Sequence, residues 1–324
     1  MIIIYFFLLI MVFLWSFSFV VVDIAVEFIP SLSLALYRFV IASLMFALID
    51  GYRYIKGIKK QQTIENTSQN MKKKPNIWLL LMISSFSGVS LFFFVQYASI
   101  KMIGPSLPAL FVCLLAPVLI SFLALLLFQE KLNKVKLLGF IIATVGGFLL
   151  VTGGNLENLS PISPNFFGYF LAILTPFLWA TYTIVTKRLS LLLTSYKLIK
   201  YVAYLGCIEL LIFVVIGGEG YTFLINFFNP VLFISGLYLG IGCYIIGYYI
   251  WNKAQSTLKS FKASSFLYIE PFITLFFSIL LRRNESVVLW NLIGGIIVLV
   301  AVFIINYESR SKQNPAFELE GTQL

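Results

Sequence analysis

Residues 116–151 read APVLISFLALLLFQEKLNKVKLLGFIIATVGGFLLV, and residues 270–303 read EPFITLFFSILLRRNESVVLWNLIGGIIVLVAVF. Each stretch opens with a proline near the start of an apolar run. A glutamate closes that run, Glu130 in one case and Glu285 in the other, and a second apolar run carrying Gly139 or Gly294 follows. A membrane helix needs about 20 apolar residues, and these runs are continuously apolar, whereas barrel strands alternate over roughly 10 residues. The pattern is a pair of membrane helices, written twice.

Outward from these stretches the two copies stay in step. Phe13-Leu14-Trp15 answers Phe177-Leu178-Trp179, Gln96-Tyr97-Ala98 aligns with Asn252-Lys253-Ala254, and Gln129-Glu130 aligns with Asn284-Glu285. Apolar runs fall at 2–22, 31–50, 76–98, 104–128 and 135–151, then at 166–186, 197–216, 231–251, 263–281 and 288–306. Five runs per copy is an odd number, so the second copy enters the bilayer from the opposite side. The expected fold is an all-α membrane protein of ten transmembrane helices in two inverted five-helix repeats. These are residues 1–152 and 153–306, followed by a polar tail at 307–324.

Composition agrees with that reading and excludes much else. Of 324 residues 60% are apolar and 11% charged, too few polar groups to cover a water-soluble core. Histidine is absent, which removes His-dependent triads and zinc proteases. Cys113, Cys207 and Cys243 lie in apolar runs without CxxC spacing, so they read as small buried residues, and no cofactor or metal is expected. The net charge of +10 is distributed between apolar runs, which argues for topology and against nucleic acid. With the amino terminus inside, every Lys and Arg except Arg38, Lys101, Arg282 and Arg283 falls on the cytoplasmic side, including seven in the polar 51–75 loop. The matching 217–230 connection has no Lys or Arg. Arg282 and Arg283 break the pattern, with Glu285 as a local partner. Both termini are therefore expected in the cytoplasm of a multi-pass cell-membrane protein.

The 116–151 stretch, its 270–303 counterpart, FLWSFSF at 13–19 and ALYRF at 35–39 together resemble the drug/metabolite transporter superfamily, specifically proteins with two EamA domains. The resemblance covers roughly residues 5–305. Many members carry Gly where Ser16 and Ala180 stand here, and Tyr201 lies near the position matching Arg38. The resemblance implies a secondary transporter with a central cavity between the repeats. Its cargo would be small organic solutes, from amino acids to drugs, with efflux the implied direction.

Charged groups in hydrocarbon cost roughly 2.5–3.5 kcal/mol on insertion scales, so they persist when paired or facing a cavity. Arg38, Glu209 and Glu270 meet this description. Arg38 would grip an anion, form a gating pair, or snorkel. Glu270 precedes Pro271, where the helix is weakened, and is a candidate amine or proton site, or a fixed partner of Lys262. Glu209 has no basic neighbour along its own span and needs an interhelical contact, with Arg38 a candidate. Gln96, Tyr97 and Asn252 add polar groups, and Tyr244, Tyr248, Trp251 and Gln255 recur on one helical face, suited to a cavity or to packing. Trp15 and Trp179 read as fold-level residues. Glu130 and Glu285 read as cap or hinge contacts, and Gly146-Gly147 and Gly294-Gly295 as close helix contacts.

Two inverted bundles around a shared site make transport the natural expectation, coupled to protons or uncoupled, by a monomer or weak homodimer. An intramembrane enzyme on a lipid or prenyl substrate would need paired acids, yet Asp23 and Asp50 are the only aspartates. A scaffold would have a filled centre.

Overall fold

The computed structural model describes residues 2–57, 76–127, 134–155, 162–258, 263–283 and 287–306. Regular structure among them is entirely helical: α1 (Ile2–Ala25), α2 (Ser31–Ile55), α3 (Ile77–Ile103), α4 (Ser106–Leu127), α5 (Lys134–Thr152), α6 (Phe166–Leu189), α7 (Ser195–Ile216), α8 (Pro230–Thr257), α9 (Ser265–Leu280) and α10 (Leu289–Asn306). A short helix, Gly220–Ile225, joins α7 to α8. Six of these helices, α1, α2, α3, α6, α7 and α8, are long and apolar enough to cross a membrane. The others contribute shorter apolar stretches at Ser106–Ile120, Ile141–Leu150, Phe266–Leu280 and Leu289–Ala301. Outward-facing Phe, Leu and Ile side chains clothe the bundle, as the hydrocarbon of a bilayer requires. The chain is a multi-pass helical membrane protein.

Local chemistry sets the helix ends. Asn76 and Thr194 accept the Leu79 and Lys197 amides at 3.2 and 3.4 Å, and Asn229 accepts that of Val231 at 2.9 Å ahead of Pro230. Helix α3 stops at Gly104, whose φ of 79° suits a residue without a side chain. Helix α2 runs on to Ile55, beyond the limit at residue 50 expected from hydropathy. Asp50 is bound there by Lys200 Nζ at 2.7 Å and by the Tyr196 hydroxyl at 2.8 Å, and Arg53 lies 4.4 Å over the Tyr196 ring. Charges held by α7 let this end remain helical. The rest of the expected loop, 58–75, lies outside the described residues, as do Glu130, Lys262, Glu285 and the 307–324 tail.

The two halves pack in matching pairs. Helix α4 packs on α6 as α9 packs on α1, α3 packs on α7 as α8 packs on α2, and α3 packs on α6 as α8 packs on α1. The pairs α2–α7, α4–α9 and α5–α10 join equivalent helices. Backbones approach closely where glycine permits: a Cβ on Gly294 would lie 2.3 Å from the Leu150 amide nitrogen, and one on Gly247 would lie 2.3 Å from Trp15 Nε1.

Equivalent places also carry the same departure from α geometry. Residues Phe86–Ser90 of α3 and Tyr238–Tyr248 of α8 are π-helical. Each segment gives a carbonyl to the opposite half: the Tyr248 hydroxyl donates to the Gly88 carbonyl at 3.0 Å, and Trp15 Nε1 to the Cys243 carbonyl at 2.9 Å. Arg283, beyond α9, is met by Asp23 Oδ2 at 2.5 Å and by Glu27, both contributed by α1 and the turn after it. Arg283 thus has acidic partners from across the bundle, while the expected local one, Glu285, lies outside the described residues.

Candidate functional site

Where α1, α2, α3, α4, α6, α8 and α9 converge, side chains leave a small cavity of about 40 Å³. Its aromatic wall is Trp15, Phe19, Phe92, Phe93, Trp179 and Tyr248. Trp15 and Trp179 also pack at a tilt against Trp251, with ring centroids 5.9 and 5.6 Å apart. The wall arises because two equivalent tryptophans, one per half, project into the same place. Such rings present broad apolar faces with partial negative charge.

Besides Ser18, whose hydroxyl donates to the Trp15 carbonyl at 2.6 Å, three polar side chains interrupt this wall: Arg38 from α2, Gln96 from α3 and Glu270 from α9. All three are buried, Arg38 at 2% and Glu270 at 3% exposure, far too enclosed for a snorkelling arginine to reach water. Arg38 Nη1 donates to the Tyr97 hydroxyl at 2.8 Å, and its guanidinium lies 4.1 Å over the Phe93 ring. Its Nε has no partner. Glu270 begins the α-helical part of α9 directly after a 3-10 turn, Ser265–Ile269, so Pro271 sits where its missing N–H costs nothing. One carboxyl oxygen, Oε2, is unpartnered, and the Cys113 thiol lies within hydrogen-bond reach of the group. The ion pairs among the described residues join neither Arg38 nor Glu270 to any other charge. An enclosed space thus offers a donor-rich cation and an acceptor-rich carboxyl on separate helices.

The other residues singled out in the sequence take different positions. Tyr97 holds Arg38 in place from α3. Tyr244 packs at a tilt against Tyr248, ring centroids 4.4 Å apart, and spends its hydroxyl on the Ile199 carbonyl at 2.8 Å. Asn252 donates to the Tyr182 hydroxyl at 2.9 Å and supports the ring packed on Trp179. Of the expected α8 face, Tyr244, Tyr248, Trp251 and Gln255 are all buried, but only Tyr248 lines the cavity. Glu209 lies apart: Ser85 and Ser90 of α3 donate to its two oxygens, each at 2.6 Å. Phe92 and Phe93 line the cavity without any distinguishing mark in the sequence, although they stand one helical turn before Gln96 and so share its face. Cys113 and Cys243 are buried and Cys207 half-buried, all as free thiols.

A many-helix membrane bundle whose enclosed cavity carries isolated charges of both signs is built as solute-handling proteins are. Residues 2–152 and 166–307 both match the EamA-like transporter family, and the chain belongs to that family, with two EamA domains. It is similar to an uncharacterized transporter of Archaeoglobus fulgidus, 29% identical over 90% of this chain and 93% of that one. It is likewise similar to the uncharacterized transporter YyaM of Bacillus subtilis, 25% identical over 85% and 84%. A solved crystal structure aligns over 95% of this chain and 99% of its own, with a TM-score of 0.60 at 15% identity, a likeness of fold.

Proposed function

We propose that the protein is a secondary transporter that moves a small organic solute across the cytoplasmic membrane by alternating access. The observation that carries this reading is Arg38 and Glu270 facing one aromatic cavity with no ion pair between them. A zwitterion answers both groups at once. Its carboxylate binds the guanidinium, its ammonium the glutamate, and an apolar portion lies against Trp15, Trp179 and Tyr248. Amino acids and similar amphipathic compounds have this chemistry.

The ten helices then form two inverted five-helix repeats, residues 1–152 and 153–306, with the 307–324 tail and both termini cytoplasmic. Support comes from the matched packing of the halves and from the paired π-helical segments. Exchange of the two halves' conformations would open the cavity first on one face and then on the other. Efflux is the working direction. Glu270 is the coupling residue if protons drive the cycle, and the working unit is a monomer or weak homodimer. Arg38 and Glu270, buried at the centre without an ion pair, argue against a scaffold.

Counterflow of labelled amino acids into liposomes, with and without a proton gradient, tests the proposal. Wild type should exchange a zwitterion faster than its neutral amide or ester analogue. Arg38→Ala should lose the zwitterion more than the neutral analogue, and Glu270→Gln should abolish any acceleration by the gradient. Equal loss for both cargoes in Arg38→Ala would remove the arginine from substrate recognition.

A further inference from the structure

A second, larger space lies on the flank of the bundle. Met82, Ile83, Phe86 and Ser87 of α3, Leu178 and Thr181 of α6, and Leu205, Ile208, Glu209 and Ile212 of α7 line a groove of about 670 Å³. Its rim residues Met82, Phe86, Ile208 and Ile212 are exposed, so the groove opens sideways toward acyl chains. It is separate from the central cavity, for Leu178 and Thr181 line the groove while Trp179, between them in sequence, lines the cavity.

Glu209 gives this groove its one acidic group. The carboxylate lies seven residues short of Ile216, about 10 Å inside the end of α7 at 1.5 Å per residue. Ser85, just before the π-helical turn of α3, and Ser90, its last residue, fix both of its oxygens. None of the ion pairs among the described residues includes it. Leu205, one turn before it on α7, and Ile212, one turn after it, make the groove apolar on both sides of the charge.

We propose that this groove is a membrane-side binding site for an amphipathic amine whose ammonium is flanked by apolar groups. The carboxylate would take the ammonium N–H, and the two apolar arms would lie along α7 above and below it. The depth of Glu209 favours an amine dissolved in the membrane over the ammonium of a bulk lipid, which is anchored at the interface.

The experiment is equilibrium binding of radiolabelled dibenzylamine to the protein in phosphatidylcholine nanodiscs, corrected for empty discs, with dibenzyl ether as the neutral comparator. Wild type should bind the amine at least about tenfold more tightly than the ether, a difference of roughly 1.4 kcal/mol. Glu209→Gln should bring the amine to the level of the ether, and Glu219→Gln, whose carboxylate meets Ser33 of α2 at 2.6 Å and lines neither space, should leave it unchanged. Should Glu209→Gln fail to fold, Ile208→Trp fills the groove from an exposed position and should weaken the amine by a similar factor. Equal affinity for amine and ether in wild type overturns the proposal. So does loss of binding in Glu270→Gln, which would place the amine in the central cavity. Suppression by phosphatidylethanolamine in the discs also overturns it, since the lipid ammonium would then hold the groove. None of these readouts depends on transport.

Discussion

Trp15 and Trp179 meet edge to face, their ring centroids 5.4 Å apart and their planes at 88°. They occupy equivalent positions in the two halves, so the contact lies where one half bears on the other. An edge-to-face pair contributes about 0.5–1.5 kcal/mol beyond the area it buries. A double-mutant cycle on Trp15→Phe and Trp179→Phe, followed by denaturant unfolding in detergent, should return a coupling energy of that size. Additive single effects would mean that the two rings are independent.

Tyr97 positions Arg38 and does not line the cavity. Its hydroxyl meets a buried cation, and hydrogen bonds to charged groups contribute about 1.5–3 kcal/mol. Removing it leaves the guanidinium held mainly by the Phe93 ring. Tyr97→Phe should weaken binding of a carboxylate-bearing cargo about tenfold and that of its ester several-fold less. Isothermal titration of both ligands against wild type and variant checks this.

What could be read from the amino-acid order follows from the physics of each feature. The helices announce themselves because hydrocarbon demands long apolar runs, and the predicted limits match most of the ends observed. Arg38, Gln96 and Glu270 are conspicuous because polar groups are rare within such runs, and all three line the cavity. Phe92 and Phe93 are hidden among 33 phenylalanines, since a ring facing a cavity and a ring facing lipid are the same letter. The π-helical turns at Phe86–Ser90 and Tyr238–Tyr248 shift backbone register without a distinctive residue. The partners of Glu209 and Arg283 come from helices distant in sequence, which a search for charges along one helix does not reach.

Polar clasps close opposite ends of the bundle in the proposed topology. Asp23 and Glu27 hold Arg283 at one end, and Asp50 holds Lys200 at the other. A partly exposed pair of this kind contributes about 0.2–1 kcal/mol, enough to change a two-state population by up to about fivefold. Arg283→Gln should therefore favour the state open at the end of α1. In a background lacking Cys113, Cys207 and Cys243, Ser18→Cys on the cavity wall reports this opening. A membrane-impermeant thiol reagent applied to the outer face should label it about two- to fivefold faster when Arg283→Gln is added. Lys200→Gln should slow the same labelling. Equal rates in all three proteins would show that these clasps do not bias access.

Gly294 carries the contact between α5 and α10. A methyl group there would meet the Leu150 amide nitrogen at 2.3 Å and the Gly146 carbonyl oxygen at 2.7 Å. Both are backbone atoms, so no side-chain rotation relieves the clash and the helices must separate. Overpacking of this kind costs about 1–3 kcal/mol. Gly294→Ala should lower the thermal midpoint in detergent by several degrees. Gly51→Ala, also in a helix but with no atom within 4 Å of the added carbon, should hold or raise it, because alanine is the better helix former by about 1 kcal/mol. A similar loss at both positions would mean that the stability of the bundle does not depend on the close approach of α5 and α10.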